Sequence, residues 1–156
     1  GGKSFALAIR WPEAAVTAMD TSPARLHTMA QRAASLGLDR IRLLAGDATR
    51  PPLPESAWDL VLADVPCSGT GTLQRNPDLR WRLAPEDFPR QARRQRQILA
   101  AAAALVAPGG RLVYTTCSNE PEENQAVVEA FLAGTPGHGF DLEPIVDHFI
   151  DRLAGM

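Results

Sequence analysis

The stretch WDLVLADVPCSGTG, residues 58–71, joins an apolar run to a glycine-rich turn through an acidic residue and a Pro-Cys pair. The apolar run is typical of a buried strand, and the residues after it are strong turn formers. A strand is therefore predicted to end at Asp64, with Cys67 in the turn just beyond it. The stretch leaves open whether Cys67 attacks a substrate, assists another group or only packs as a small apolar residue.

Strand patterns of the same kind lie on both sides of this stretch. They are AAVTAMD, IRLLAGDA and RLVYTTCS, which end at Asp20, Asp47 and Cys117. Helices are predicted before, between and after these strands, over residues 1–11, 21–37, 85–110 and 120–134. The second helix starts at Ser-Pro and stops at a glycine, and Pro-Gly-Gly closes the third. The alternation predicts an α/β fold, a doubly wound parallel sheet with helices on both faces.

The predicted strands end in side chains that carry chemistry. In open parallel sheets, ligands bind beyond the carboxyl ends of the strands. The ends predicted here are Asp20, Asp47, Asp64 and Cys117. Their convergence on one edge of one sheet is the main physical argument for a functional site.

Composition indicates one globular domain and excludes several classes of protein. The chain has 156 residues, 45% of them apolar and 22% charged. No apolar run approaches the roughly 20 residues that span a bilayer, and no secretory signal is visible at the start. Two cysteines and three scattered histidines form neither a disulfide framework nor a metal site. We therefore expect an intracellular, reducing environment and no bound metal.

Charge is unevenly distributed along the chain. The formal net charge is −2, yet residues 75–96 hold seven arginines and three acidic residues. This local excess of positive charge begins directly after the Pro-Cys turn. It predicts either a solvated helix face or a surface for a polyanion.

The first part of the chain has the order of a nucleotide-binding unit. The glycine turn Gly1-Gly2 opens a helix, and Asp20 ends the next strand at the spacing of a carboxylate that binds ribose hydroxyls. Asp47 is a candidate contact to an adenine. The signal is weak alone because no complete GxGxxG is present. The simpler alternative for both acids is a turn or helix-capping residue.

Five motifs occur in an order that identifies a family. They are GGKS, MD, GDA, DVPCSGTGTLQRNPDLRW and TTCSNEPEEN, and the resemblance that they carry covers nearly the whole chain. Together they resemble the Sun family of S-adenosylmethionine-dependent RNA cytosine carbon-5 methyltransferases. The resemblance implies a Rossmann-like methyltransferase sheet, S-adenosylmethionine as cofactor and RNA as substrate. Ribosomal 16S RNA, the target of the bacterial branch, is favoured over tRNA, the target of some relatives.

The family pattern extends beyond both ends of this sequence. Of its first motif only Gly1, Gly2 and Lys3 are present, and the chain stops at DRLAGM before the last strand pair. The N-terminal RNA-binding extension of the bacterial branch is absent as well. We therefore expect one truncated methyltransferase domain over residues 1–156, whose sheet lacks its first strand and its last strand pair.

Methylation at carbon 5 of cytosine needs a thiolate that adds to carbon 6. The DNA cytosine methyltransferases use the cysteine of a Pro-Cys pair, which Cys67 matches, but their Glu-Asn-Val motif is absent here. The resemblance to the RNA family instead assigns the attack to Cys117 and gives Cys67 the release of the product. Asp64 is expected to orient the pyrimidine edge and to contact the cofactor.

The resemblance also assigns binding residues. The expected cofactor contacts are Gly1, Gly2, Lys3, Asp20, Asp47 and Asp64. The expected RNA contacts, in the turn after the Pro-Cys pair, are Arg75, Asn76, Arg80 and Trp81. The alternative for Trp81 is a place in the core instead of stacking on a base. The alternative for Lys3 is a surface position without a cofactor contact. Glu122 and Glu123 are expected to cap a helix, and Asn124 to support the loop.

Three other functions remain open from the sequence. A small-molecule or protein methyltransferase would need neither cysteine and would leave the arginine-rich segment without a role. A non-catalytic RNA-binding module would bind RNA regardless of Cys117 and cofactor. A dehydrogenase would use the glycine turn and Asp20, but it offers no task for either thiol.

Overall fold

The computed structural model describes residues 1–143, which form alternating helices and parallel strands. The helices are α1 (Gly2–Arg10), α2 (Pro23–Ser35), α3 (Leu79–Arg82), α4 (Asp87–Leu105) and α5 (Gln125–Ala133). The strands are β1 (Val16–Asp20), β2 (Ile41–Ala45), β3 (Trp58–Asp64) and β4 (Val106–Thr115). Single 3₁₀ turns lie at Thr70–Thr72, Pro121–Glu123 and Thr135–Gly137. The α/β class predicted from the alternation is confirmed.

Local sequence signals explain where helix α2 begins and ends. Ser22 is extended, and its hydroxyl accepts a hydrogen bond from the backbone N–H of Arg25 at 3.4 Å. Pro23 occupies the first helical position, where its missing N–H costs nothing. Gly37 follows the helix with φ of 65°, a left-handed conformation that glycine adopts without strain. The helix buries Met29 and Ala33, four residues apart on one face.

The strands form two parallel pairs. Strand β1 pairs with β2, placing Asp20 opposite Ala45, and β3 pairs with β4, placing Asp64 opposite Thr115. Within residues 1–143, β1 and β3 do not pair with each other. A groove of about 920 Å³ lies between them, lined by both strands and by α1.

The core lies where α4 packs on β3, β4 and α5. Leu99 of α4 and Val127 of α5 are almost completely buried. Ile98 and Ala102 of α4 pack against Ala63 of β3. This packing fixes the carboxyl ends of β3 and β4, from which both cysteine-bearing loops extend.

Several boundaries differ from the prediction. The helix predicted to close at Pro-Gly-Gly ends at Leu105, and the following residues form a bulge in β4, since Trp58 pairs with Val106 but Leu60 with Arg111. Gly110 lies so close to neighbouring backbone that an added Cβ would be 3.0 Å from the carbonyl oxygen of Trp58. A proline and two glycines thus serve the bulge instead of stopping the helix.

Two predicted strand ends lie just beyond the strands, and one predicted helix start is a 3₁₀ turn. Asp47 follows the end of β2, and Cys117 follows the end of β4, by two residues each. Glu122 and Glu123 lie in the 3₁₀ turn before α5, and Glu123 is buried instead of capping a helix. Residues 144–156, which hold His148 and the DRLAGM end, lie outside the described residues. The expected lack of the last strand pair therefore stays a prediction.

Candidate active site

Two thiols from distant parts of the chain meet at the carboxyl ends of β3 and β4. Cys67 lies three residues after β3 and Cys117 two residues after β4. Their Sγ atoms are 2.9 Å apart, within hydrogen-bond distance. Both cysteines are free thiols, and Cys117 is exposed. Of the four predicted strand ends, Asp64 and Cys117 lie at this edge, whereas Asp20 and Asp47 belong to the β1–β2 pair.

The two loops that carry the thiols are joined by their backbones as well. The N–H of Val65 donates to the carbonyl of Thr115 at 3.0 Å, and that of Gly71 donates to the carbonyl of Cys117 at 2.9 Å. A Cβ at position 71 would lie 2.7 Å from the Cys117 carbonyl oxygen. Only glycine permits this approach, because the opposing atom is backbone and cannot turn aside.

The environment of Cys117 favours the protonated thiol. The hydrogen bond with Cys67 is the largest cause, and burial adds to it, so that the pKa of Cys117 is raised from 9.0 to about 11. The charge of Asp64 acts in the same direction. In this arrangement Cys117 is poised next to its partner but is not yet a thiolate at neutral pH.

Both carboxylate oxygens of Asp64 have partners. The hydroxyl of Thr115 donates to Oδ1 at 2.9 Å, and Nζ of Lys3 lies 2.8 Å from Oδ2. The two charged side chains are about half exposed. Lys3, at the start of α1, thereby contacts the carboxyl end of β3 across the groove, and it is not a free surface residue.

A second cavity lies at the carboxyl end of β1. It has a volume of about 290 Å³ and is lined by Gly1, Gly2, Phe5, Asp20 and residues of α2. Oδ1 of Asp20 accepts the N–H of Ser22 at 2.7 Å, whereas Oδ2 lies 3.7 Å from an Arg25 nitrogen. Asp20 therefore acts as a turn residue and keeps one oxygen free of close donors within the described part of the chain.

These residues fit the nucleoside part of S-adenosylmethionine. The cavity combines apolar walls from Phe5, Leu26 and Met29 with the available oxygen of Asp20. A carboxylate at the end of a strand beside a glycine turn can accept hydrogen bonds from ribose hydroxyls. Asp47 is exposed, and its Oδ1 accepts the N–H of Thr49 at 2.9 Å, which lowers its pKa. This is the turn geometry foreseen as its simpler alternative, and it leaves the adenine contact a prediction.

The predicted RNA contacts lie on the surface. Trp81 is 85% exposed, so it does not belong to the core. Arg75, Asn76 and Arg80 are exposed around the same short segment. An exposed indole among guanidinium groups is the combination that binds unpaired nucleotides by stacking and charge.

Sequence reasoning missed the polar residues beneath the thiols. Glu123 and Gln95 are completely buried, and Ser68 and Ser118, each next to a cysteine, are nearly so. One signal could have revealed Gln95. Gln95 interrupts the apolar face of α4 that Ala92, Leu99 and Ala102 form. A single amide side chain in such a face needs a specific hydrogen-bond partner.

Two further observations concern other classes of site. Among residues 1–143, His, Cys, Asp and Glu side chains form no group of three or more that could hold a metal ion. No helix in that part of the chain has the length and apolar character needed to cross a membrane.

Comparison with known proteins gives a consistent family. The family model described as "16S rRNA methyltransferase RsmB/F" matches residues 1–149. "Ribosomal RNA small subunit methyltransferase B" of Thermus thermophilus is 43% identical over 156 residues, which are 100% of this chain and 37% of the relative. "Probable ribosomal RNA small subunit methyltransferase B" of Synechocystis is 43% identical over 135 residues, covering 85% of this chain and 30% of the relative.

Solved structures agree with the fold. The crystal structure of PH0851 superposes with a TM-score of 0.82 at 38% identity, over 85% of this chain and 31% of that one. The structure of NSun6 from Pyrococcus horikoshii with SFG, an analogue of S-adenosylmethionine, superposes with a TM-score of 0.76 at 29% identity. It covers 85% of this chain and 34% of that one. The chain thus spans about a third of the length of the proteins it matches.

Proposed function

The chain belongs to the 16S rRNA methyltransferase RsmB/F family, and we propose that it carries the catalytic centre of an S-adenosylmethionine-dependent RNA cytosine carbon-5 methyltransferase. The observation that carries the proposal is the pair of thiols 2.9 Å apart at the carboxyl ends of two parallel strands. Carbons 5 and 6 of a pyrimidine are adjacent atoms. Two neighbouring sulfur atoms can therefore serve both at once, one as nucleophile and one as the group that assists release.

In the proposed reaction Cys117 attacks. Its thiolate forms a bond to carbon 6, which makes carbon 5 electron-rich. Bound S-adenosylmethionine supplies the electrophilic methyl group that carbon 5 takes up. The proton on carbon 5 then passes to water, and the electron pair of that bond restores the double bond between carbons 5 and 6. The bond between carbon 6 and Cys117 breaks, and its electron pair returns to the Cys117 sulfur as thiolate. Cys67, which lies next to this sulfur, assists the release.

Activation of Cys117 follows from the cause of its raised pKa. The hydrogen bond with Cys67 stabilises the protonated form. A pyrimidine that approaches the Cys117 sulfur displaces Cys67 as its hydrogen-bond partner, so the largest cause of the raised pKa is removed and the pKa of Cys117 falls. Because Cys117 is exposed, its proton can pass to solvent.

The remaining residues bind and orient. Asp64, held by Lys3 and Thr115, faces the pyrimidine edge and keeps the ring in register with the sulfur atoms. The cavity with Gly1, Gly2 and Asp20 takes the cofactor, and Asp47 lies at the end of the neighbouring strand.

Arg75, Arg80 and Trp81, together with Asn76, bind the RNA strand from which the target base is turned out. The favoured substrate is 16S ribosomal RNA, in keeping with the names of the relatives, and the proposed location is the cytoplasm.

Trapping the covalent intermediate tests the proposal. Wild type, Cys67→Ala and Cys117→Ala are incubated with S-adenosylmethionine and either a 16S RNA fragment or a tRNA transcript, and products are separated on denaturing gels. A slowly migrating protein–RNA band with Cys67→Ala alone supports attack by Cys117 and release by Cys67.

Other outcomes separate the alternatives. A band that survives Cys117→Ala but disappears with Cys67→Ala reverses the two roles. RNA binding that ignores both substitutions and the cofactor indicates a non-catalytic module. Methylation that continues in both variants without any band would sink the covalent mechanism, and a band with tRNA alone would replace the ribosomal substrate.

A further inference from the structure

The carboxylate of Glu123 lies completely buried beneath the two thiols, with an exposed fraction of 0%. The backbone N–H of Ser68 donates to its Oε1 at 2.9 Å, and Nε2 of Gln95 donates to the same oxygen at 3.0 Å. The hydroxyl of Ser68 donates to Oε2 through a short hydrogen bond. A buried carboxylate without such donors would be strongly destabilising, so these contacts hold the carboxylate in place.

These contacts fasten the loop of Cys67 on both sides of the thiol. Ser68 follows Cys67 directly, and Pro66 precedes it. Nε2 of Gln95 donates to the carbonyl of Pro66 at 2.9 Å as well as to Glu123. Both neighbours of Cys67 are therefore held through a single carboxylate and a single amide.

The same group reaches the loop of Cys117. The hydroxyls of Ser68 and Ser118 are 3.1 Å apart, and Ser118 follows Cys117 directly. The hydroxyl of Tyr114, in β4, donates to the carbonyl of Glu123 at 2.7 Å. Asn124, next to Glu123, donates from Nδ2 to the carbonyl of Ser118 at 2.7 Å. The Glu123 carboxylate thus contacts Ser68, the residue after Cys67, and reaches Ser118, the residue after Cys117, through the Ser68 hydroxyl.

The orientation of Gln95 is maintained at a cost. Its two close neighbours, the carbonyl of Pro66 and the carboxylate of Glu123, are both acceptors, so the amide nitrogen must face them. Its Oε1 is left buried without a hydrogen-bond partner in the described part of the chain. Burying an unsatisfied acceptor is unfavourable, which argues that the contact with Glu123 serves more than local packing.

We propose that Glu123 is a positioning residue whose buried carboxylate, through Ser68 and Gln95, sets the spacing between the thiols of Cys67 and Cys117. Its consequence for catalysis rests on the proposed function, because only that reaction needs both sulfur atoms at one pyrimidine. The spacing itself is a property of the protein alone, and it can be measured without RNA or cofactor.

The effective concentration of one thiol toward the other reports the spacing directly. In a glutathione buffer, the protein dithiol and glutathione disulfide give the protein disulfide and two molecules of glutathione. The chain has two cysteines, so no other thiol competes. Mass spectrometry measures the fraction of protein disulfide. The equilibrium constant calculated from this fraction gives the effective concentration of one thiol toward the other.

Three variants of the chain are compared with wild type. Glu123→Ala removes the carboxylate and is expected to lower the effective concentration at least tenfold. Glu123→Gln keeps the shape but offers one acceptor oxygen where the donors use two, and a decrease of at least threefold is expected. Glu122→Ala removes the adjacent exposed acid of the same motif and is expected to stay within twofold of wild type. Circular dichroism establishes which variants are folded.

The outcome is decisive even if one variant fails to fold. A folded Glu123→Ala protein with the wild-type effective concentration overturns the proposal, and the same value in Glu123→Gln overturns it if Glu123→Ala does not fold. Equal decreases in Glu122→Ala and Glu123→Ala also overturn it, because the effect would then be general. If the Glu123 variants have a lower effective concentration but the wild-type protein methylates no RNA, the proposed function is refuted and the positioning role of Glu123 is supported.

Discussion

The Sγ atoms of Cys67 and Cys117 lie 2.9 Å apart although fifty positions separate them in the chain. Their hydrogen bond is the largest cause of the raised pKa of Cys117, about 11. Cys67 therefore controls the chemistry of Cys117, and the removal of Cys67 should do more than remove a second reactive group.

Cys67→Ala should lower the pKa of Cys117 from about 11 toward its ordinary value of 9.0. A lower pKa means a larger thiolate fraction at pH 8, and this gain outweighs the lower nucleophilicity of a less basic thiolate, so alkylation of Cys117 should accelerate roughly tenfold. The rate with iodoacetamide, followed at the Cys117 peptide by mass spectrometry from pH 7 to 11, checks this. An unchanged or slower reaction would contradict the assigned cause of the raised pKa.

Lys3→Met should lower methyl transfer without unfolding the protein. The ion pair with Asp64 is about half exposed, so its loss should change the free energy of unfolding by less than ~1 kcal/mol. Transfer should fall about tenfold, since Asp64 loses the contact that fixes one of its oxygens. Single-turnover rates and urea unfolding measure the two effects. Arg111→Met, which breaks a comparably exposed pair with Glu143, is the control and should leave transfer unchanged.

Asp20→Asn should weaken cofactor binding about tenfold, because a hydrogen bond to a charged group contributes about 1.5–3 kcal/mol. The variant keeps an oxygen for the N–H of Ser22, so the start of α2 should be preserved. Calorimetric titration with S-adenosylmethionine measures the affinity. Asp39→Asn, which changes an acid in the turn before β2, should bind as wild type does. Equal affinities of all three proteins would remove Asp20 from the cofactor site.

Trp81→Ala should weaken RNA binding by about 1–3 kcal/mol, the usual contribution of one base stacked on an aromatic side chain. With 85% of its surface exposed, Trp81 contributes little to folding, and the free energy of unfolding should change by less than about 0.5 kcal/mol. Fluorescence anisotropy with a labelled RNA gives the affinity. Trp11→Ala removes an indole from the end of α1 and should leave it unchanged. An equal loss of RNA affinity in Trp81→Ala and Trp11→Ala would contradict a specific role of Trp81 in RNA binding.

Sequence reasoning correctly placed the elements whose structure depends on residues close to them in the chain. Helix α2 follows from Ser22 and Pro23 at its start, and Asp64 follows from the apolar strand before it. The meeting of Cys67 and Cys117 could be inferred because parallel strands bring their carboxyl ends to one edge.

Glu123 could not be placed in the same way. An acid in the first turn before a helix normally faces solvent, and here it is buried because Gln95 and Ser68 supply donors from other parts of the chain. The Pro-Gly-Gly bulge was missed for a related reason. Gly110 is required by its close approach to the backbone of Trp58 on the neighbouring strand, not by the end of the preceding helix.

Helix α4 presents an exposed side and a buried side within four consecutive residues. Arg93, Arg94 and Arg96 are exposed, whereas Gln95 between them is buried against Glu123. The amide of Gln95 also holds the carbonyl of Pro66, next to Cys67. One turn of a single helix therefore connects a positively charged outer surface to the backbone that carries a thiol.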